Sequence, residues 1–222
     1  MKIIDRSSLD KLFEKIKTSG YKLIGPTIRD DAVVYDELNS TNDLPIGWTD
    51  EQDGGKYRLV KRNDNALFGY VVGPQSWKRF LNPPLQRLWQ AKRLDNKIET
   101  IPEQAENMKY AFIGVRSCEL NAILIQDKVF TGGEFINSSY QKRRKDNLII
   151  AVNCTTSGGT CFCVSMNTGP KVKEAFDLAL TEVITRDEHY FLVETGSESG
   201  KILMEDIPQR TASQNEINTG EE

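Results

Sequence analysis

A single histidine, His189, and four cysteines are all the imidazole and thiol groups that this 222-residue chain can offer a metal. One imidazole excludes sites built on several, including most catalytic zinc centres. Four cysteines are too few for a disulfide scaffold. A chain of this length buries roughly 70% of its unfolded surface, so it needs neither disulfides nor metal to hold a core. No stretch reaches the 18 or more apolar residues of a membrane span. The opening MKIIDRSSLDKLFEKIK lacks the apolar run of a signal peptide, so the expected compartment is the cytoplasm. An excess of positive charge is missing too. With 29 Lys and Arg against 32 Asp and Glu, the net charge is -3, and nucleic acid has no electrostatic foothold. No G-x-G-x-x-G is present, which argues against a Rossmann-type dinucleotide site. Gly196 to Lys201 falls one residue short of a phosphate loop and lacks its following Ser or Thr.

What is present reads as an ordinary soluble globular chain, 38% hydrophobic and 27% charged. The first seventeen residues predict a helix, with Leu9, Leu12, Phe13 and Ile16 at i, i+3, i+4, i+7. Ser7 and Asp10 stand at capping-box spacing and Gly20 supplies a left-handed stop. Two strand-like runs flank Gly25-Pro26, helped by Val33, Val34 and Tyr35. A loop punctuated by Pro45, Gly47, Gly54 and Gly55 precedes KYRLVKR, and Gly73-Pro74 stops the apolar run from Ala66 to Val72. Ser76 caps a short helix ending at Asn82-Pro83-Pro84; LQRLWQAKRL reads as another helix, and Asp95 to Asn107 as polar connection.

Organisation changes at YAFIGVR (110–116), a buried-type strand followed by helical spacing from Glu119 to Phe130 and a second buried strand, NLIIAVN (147–153). Strand, helix, strand at this spacing predicts a βαβ unit with parallel strands. FDLALTEV and YFLVETG suggest a hairpin about Arg186-Asp187-Glu188. The expected fold is therefore α/β: a mixed sheet with a βαβ unit, flanking helices and additional β-hairpins. The domain is expected to span residues 1–204, with 205–222 a disordered tail.

All four thiols fall at one place in this scheme. Cys118 follows the first parallel strand and Cys154 the second; the chain then runs Thr-Thr-Ser-Gly-Gly-Thr-Cys161-Phe-Cys163. Open α/β sheets place ligands at the carboxyl ends of their strands. Thiolates gathered there carry concentrated negative charge, which turn N–H groups can stabilise, and Gly158 and Gly159 permit such a turn. In extended backbone, Cys161 and Cys163 would face one side with Phe162 turned away. Singly, a free cysteine is as often a packing residue as a ligand. As a set, the four point to metal. The C-x6-C-x-C spacing is unlike the paired knuckles of structural zinc, although zinc remains the alternative. A reactive Cys161–Cys163 pair would need a strained small-ring disulfide.

Other residues carry plainer readings. Lys142, Arg143, Arg144 and Lys145 form a basic run, read first as solvated surface and second as a docking patch. Arg116, two residues before Cys118, either offsets charge at the thiol site or is merely solvated at a strand end. His189 lies in a turn and reads as exposed. Trp48, Trp77 and Trp89 read as core or interface residues.

The segments GPTIRDDAVVYDEL, LPIGWTDEQDGGKYRL, FGYVVGPQSWKRFL, YAFIGVRSCELNAI and, above all, NCTTSGGTCFCVSMNTGP resemble the amino-terminal domain of the β subunit of soluble nickel–iron (sulf)hydrogenases. They are similar also to the iron–sulfur subunit of anaerobic sulfite reductase. The resemblance implies an electron-transfer subunit that works beside a flavin- and nicotinamide-binding partner and catalytic subunits, the flavin residing only on the partner. It implies that Cys118, Cys154, Cys161 and Cys163 ligate one 4Fe–4S cluster. Two features depart from the family: Ser117 and Glu119 replace its usual Pro and Asp beside the first cysteine, and no cysteine follows Cys163, so the ferredoxin-like region with its C-x2-C runs is absent.

Overall fold

The computed structural model describes residues 1–71, 73, 75–94, 97–102 and 108–221. Its centre is an eight-stranded sheet. Strands β1 (Lys2–Asp5), β2 (Lys22–Arg29), β3 (Ala32–Glu37), β8 (Tyr110–Val115), β9 (Leu148–Val152), β10 (Leu178–Ile184), β11 (His189–Thr195) and β12 (Arg210–Thr211) lie in the order β12-β1-β11-β10-β9-β8-β2-β3. The neighbours β10, β9, β8 and β2 run parallel; β11, β1, β12 and β3 pair antiparallel at the two flanks. The mixed α/β sheet and the βαβ unit formed by β8, α3 (Ser117–Thr131) and β9 are as the sequence predicts.

Side-chain alternation builds two cores on opposite faces of this sheet. Ala111 and Ile113 of β8, with Leu148, Ile150 and Val152 of β9, join one core; Phe112, Ile149 and Ala151 join the other. Helices α1 (Ser8–Thr18) and α5 (Glu198–Met204) cover the first through Leu9, Leu12, Phe13, Ile16, Leu203 and Met204. Helices α2 (Lys78–Leu81), α3 and α4 (Ser138–Lys145) cover the second through Leu81, Leu120, Ile123 and Tyr140. Both faces of the parallel strands are thus dry, which is why their sequences are continuous apolar runs.

Several elements differ from the sequence reading, each for a tertiary reason. Lys2–Asp5 is a strand because it pairs between β11 and β12, sending Ile4 into the first core and Ile3 into a smaller third one. Ser7 precedes α1 without a side-chain cap, while Gly20 does adopt φ +85° as expected. Strand β2 runs straight through Gly25-Pro26. Its pairing with β8 ends at Ile24, so the missing proline N–H costs nothing, and the turn sits instead at Asp30-Asp31, both left-handed. The stretch around Gly54-Gly55 is a hairpin of β4 (Trp48–Asp53) and β5 (Lys56–Lys61).

LQRLWQAKRL is likewise no helix. Its latter part is β6 (Trp89–Leu94), paired with β7 (Lys97–Pro102) inside the stretch read as polar connection. Every residue of β6 is exposed, so a helix there would bury no apolar stripe, whereas cross-strand bonds and the opposed Lys92 and Glu99 satisfy a ribbon. Val72 and Pro74, and residues 95, 96 and 103–107 of the expected connection, lie outside the described residues. The β10–β11 hairpin forms as read. Beyond Ile207, the stretch read as a tail carries β12 and α6 (Gln214–Glu221), and Gly220 approaches Leu192.

Candidate functional site

Strand β8 ends in a bulge. Its register against β9 shifts between Ile113 and Val115, and Gly114 between them takes φ +84°, where a Cβ would sit 3.1 Å from the Tyr70 hydroxyl and 3.2 Å from the Phe68 ring. Glycine alone meets both demands. The bulge re-aims the chain so that Val115 enters the second core while Arg116 reaches the backbone of Phe68 and Tyr70, whose side chains belong to the first. Helix α3 then starts at Ser117, which makes Cys118 its second residue.

Asn153, immediately after β9, organises the second arm of the site. Its backbone N–H donates to Leu180 O and its side-chain amide to the Thr181 hydroxyl, both at 2.9 Å. Its Oδ1 accepts the backbone N–H of Val172, also at 2.9 Å. Val172 lies on the return arm of the cysteine loop. Two further staples close the neck: Cys154 N–H to Pro170 O at 3.3 Å, and the Ser117 hydroxyl to Lys171 O at 3.0 Å. The loop therefore leaves and re-enters beside Cys118.

Within that loop, a turn stands on each side of the short step from Cys161 to Cys163. Cys161 closes a turn on Gly158 O, and the Gly158 N–H donates back to the Cys161 sulfur at 3.3 Å. Cys163 opens the next turn, its carbonyl accepting from Met166 and Thr168 N–H, with Asn167 left-handed. Three glycines permit close approach. A Cβ on Gly169 would stand 3.1 Å from the Cys163 sulfur, one on Gly158 3.1 Å from Val71, and one on Gly159 2.5 Å from Gln52 O. The Thr160 hydroxyl adds a bond to the Gln52 side chain at 2.8 Å, so the loop leans on the β4–β5 hairpin.

The four thiols share one rim. Cys118, Cys154 and Cys163 are half-buried and Cys161 is exposed. Burial pushes the Cys118 thiol up to about 11, with Glu119, Cys154 and Cys163 adding to the rise. Burial also raises Cys154; Arg116 opposes it, while Cys163 and Cys161 reinforce it. Cys118 thus feels Cys154 and Cys163, and Cys154 feels Cys163 and Cys161. Among the described residues, no group of three or more His, Cys, Asp or Glu is close enough to hold a metal ion as the side chains stand. The donor chemistry fits a four-thiolate centre: soft ligands, a turn N–H aimed at sulfur, and glycines that leave room.

Next to the thiols lies a buried polar group that no sequence pattern links to its partner from β3, Tyr35. The Glu119 carboxylate accepts the Tyr35 hydroxyl at 2.5 Å and the Arg116 backbone N–H at 3.0 Å. Burial raises its pKa, opposed by the hydrogen bonds from Tyr35 and Arg116 and by the nearby Trp77 indole. Arg116 is 1% exposed, not solvated. His189 is half-buried rather than exposed, bonding Glu182 Oε1 at 2.8 Å, and the same carboxylate accepts Leu67 and Phe68 N–H. Of the basic run, Arg144 bonds Asp127 and Arg143 bonds Gln86. Trp77 is core, stacked on Tyr35 at 4.0 Å, whereas Trp89 is 58% exposed. No helix among the described residues is long and apolar enough to cross a membrane.

No family model matches the chain, and no solved structure matches it. The sequence is similar to sulfhydrogenase 2 subunit beta of Pyrococcus furiosus, with 24% identity over 190 residues; the match covers 86% of this chain and 46% of that protein. The chain thus spans about half the length of the curated relative it matches. The likeness to a hydrogenase β subunit agrees with the resemblance read from the sequence.

Proposed function

We propose that this chain is an electron-transfer component of a multisubunit oxidoreductase of hydrogenase or sulfite-reductase type. In this reading it holds one 4Fe–4S cluster through Cys118, Cys154, Cys161 and Cys163. The observation that supports it is that Cys118 and Cys154 follow the carboxyl ends of two adjacent parallel strands, with Cys161 and Cys163 on the loop that Cys154 opens. When bound, the cluster supplies one-electron reduction and reoxidation. The protein's own part is to position and shield. The Asn153, Ser117 and Cys154 staples fix the loop neck, and the Gly158 N–H stabilises charge on the Cys161 sulfur. Phe162, Val164 and Met166 stand 71%, 70% and 61% exposed within residues 154–170, a stretch without a charged side chain and a face suited to an uncharged partner surface. A flavin- and nicotinamide-binding protein is the proposed partner, in keeping with the likeness to a β subunit that belongs to a larger assembly.

The test is strictly anaerobic purification with metal analysis. The expected protein is brown, with about four irons per chain and a paramagnetic signal on reduction. Cys161→Ser should remove the signal while leaving the circular-dichroism spectrum intact, because Cys161 is exposed and packs no core. A colourless protein with one zinc would overturn the redox role in favour of a structural four-thiolate site.

A further inference from the structure

Arginine is almost never fully buried unless paired with an acid, yet Arg116 is 1% exposed at the very foot of the thiol rim. Its guanidinium is held by three backbone carbonyls: Asn153 O at 3.1 Å, Phe68 O at 2.5 Å and Tyr70 O at 3.0 Å. It also lies over the Tyr70 ring, 4.9 Å from the centroid. Carbonyls share a positive charge without cancelling it. Among the described residues, no carboxylate oxygen comes within 4.0 Å of the guanidinium. Glu119 is close enough to interact through the field, but its two oxygens accept the Tyr35 hydroxyl and the Arg116 backbone N–H rather than the guanidinium, and burial raises its pKa against the charged form. Nε is buried with no hydrogen-bond partner among the described residues.

Removing a cation from water is costly, and hydrogen bonds and an aromatic face offset the cost without balancing the charge, which only an anion does. The folded chain devotes a β-bulge at Gly114, three carbonyls and an aromatic ring to keeping this one charged, and Arg cannot shed its proton. Among the groups that can carry negative charge, the electrostatic reach of Arg116 includes the Cys154 thiol, which starts one residue after the carbonyl that Arg116 holds; the other such neighbour, the Tyr70 hydroxyl, is kept neutral by burial.

We infer that Arg116 is a preset counter-charge for the anionic group held at the thiol rim and that it raises that group's reduction potential. The inference rests on the cluster reading above and deepens it. Accepting one electron from a one-electron donor, such as reduced flavin on a partner, makes a thiolate-bound centre more negative by one charge. A fixed cation in a low-dielectric setting stabilises that reduced form more than the oxidised one. Arg116 touches no ligand sulfur; it is a positioning residue that acts through the field.

The experiment is a redox titration of the iron-loaded full chain, followed by paramagnetic resonance, for wild type, Arg116→Gln and Arg116→Lys. Arg116→Gln should shift the equilibrium at least tenfold against reduction, which for one electron is about 59 mV. Arg116→Lys keeps the charge but loses the three-carbonyl fork, so its melting temperature should fall while its equilibrium stays within threefold of wild type. A merely structural arginine would lower stability in both variants and leave the potential unmoved, and that result overturns the inference. So does a folded Arg116→Lys protein whose equilibrium moves tenfold, a readout that stands even where Arg116→Gln does not fold. A wild-type chain that binds no iron fails one step earlier and overturns the cluster reading itself.

Discussion

Replacing Asn153 by alanine tests whether the cysteine loop is held from below, as its bonding implies. The residue is 6% exposed, and its backbone bonds to Leu180 and Arg116 survive the change. Its side-chain bonds do not. The Thr181 hydroxyl loses the amide donor at 2.9 Å and the Val172 N–H loses its acceptor at 2.9 Å, both in buried surroundings. Each orphaned buried group costs about 1–3 kcal/mol, so the sum is about 2–6 kcal/mol. For a chain of this size that corresponds to a fall in Tm of roughly 5–20 °C. Urea denaturation should show the midpoint falling at constant slope. Because Val172 is the return arm of the loop, the half-buried Cys154 and Cys163 should also react faster with an aromatic disulfide reagent. Asn218→Ala, on exposed α6, is the control and should stay within about 0.5 kcal/mol of wild type. A loss below about 1 kcal/mol with unchanged thiol reactivity would refute the staple.

Two further outcomes follow from the same site. Glu119 has its folded pKa raised by burial above its ordinary 4.5, so the folded state binds its proton more tightly than the unfolded one. Its protonation therefore favours folding: the contribution is complete below about pH 4.5 and is lost as pH rises through the folded value. Urea midpoints of the metal-free protein from about pH 4.5 to 8 should carry this downward trend in wild type and lack it in Glu119→Gln; parallel curves would contradict the assignment. Gly159→Ala brings a Cβ to 2.5 Å from Gln52 O, a backbone atom that cannot swing aside, so the loop must lift off the β4–β5 hairpin. Stability should drop by about 1–3 kcal/mol and labelling of Cys161 should accelerate, whereas Gly54→Ala, facing open space, should change neither.

How much of this was legible beforehand depends on the range of the interaction concerned. The parallel strands β8 and β9 announce themselves because strands dry on both faces must be continuous apolar runs, and YAFIGV and LIIAV are such runs. Their adjacency then places Cys118 and Cys154 at one edge. Strands β1 and β6 read as helix in the sequence because their few apolar residues fit a 3.6-residue spacing locally. The partners that make them strands lie elsewhere in the chain, almost 190 residues away for β1 and on the following ribbon arm for β6.

The sequence by itself determined the donor chemistry: four thiols, one imidazole, two glycines in the C-x6-C loop, and the order of strands that brings the thiols to a common rim. These are matters of composition, spacing and hydrophobic period, all of which are local. Tertiary structure alone decided the surroundings. Arg116 could have been solvated, and is instead buried, because a glycine bulge turned it toward carbonyls from residues 68 and 70, some 46 positions upstream. Asn153, Glu119 and Tyr35 became a site because backbone and side-chain groups far apart in sequence must satisfy one another once water is gone. Burial is a property of the folded whole, and so is the electrostatic environment of the four thiols.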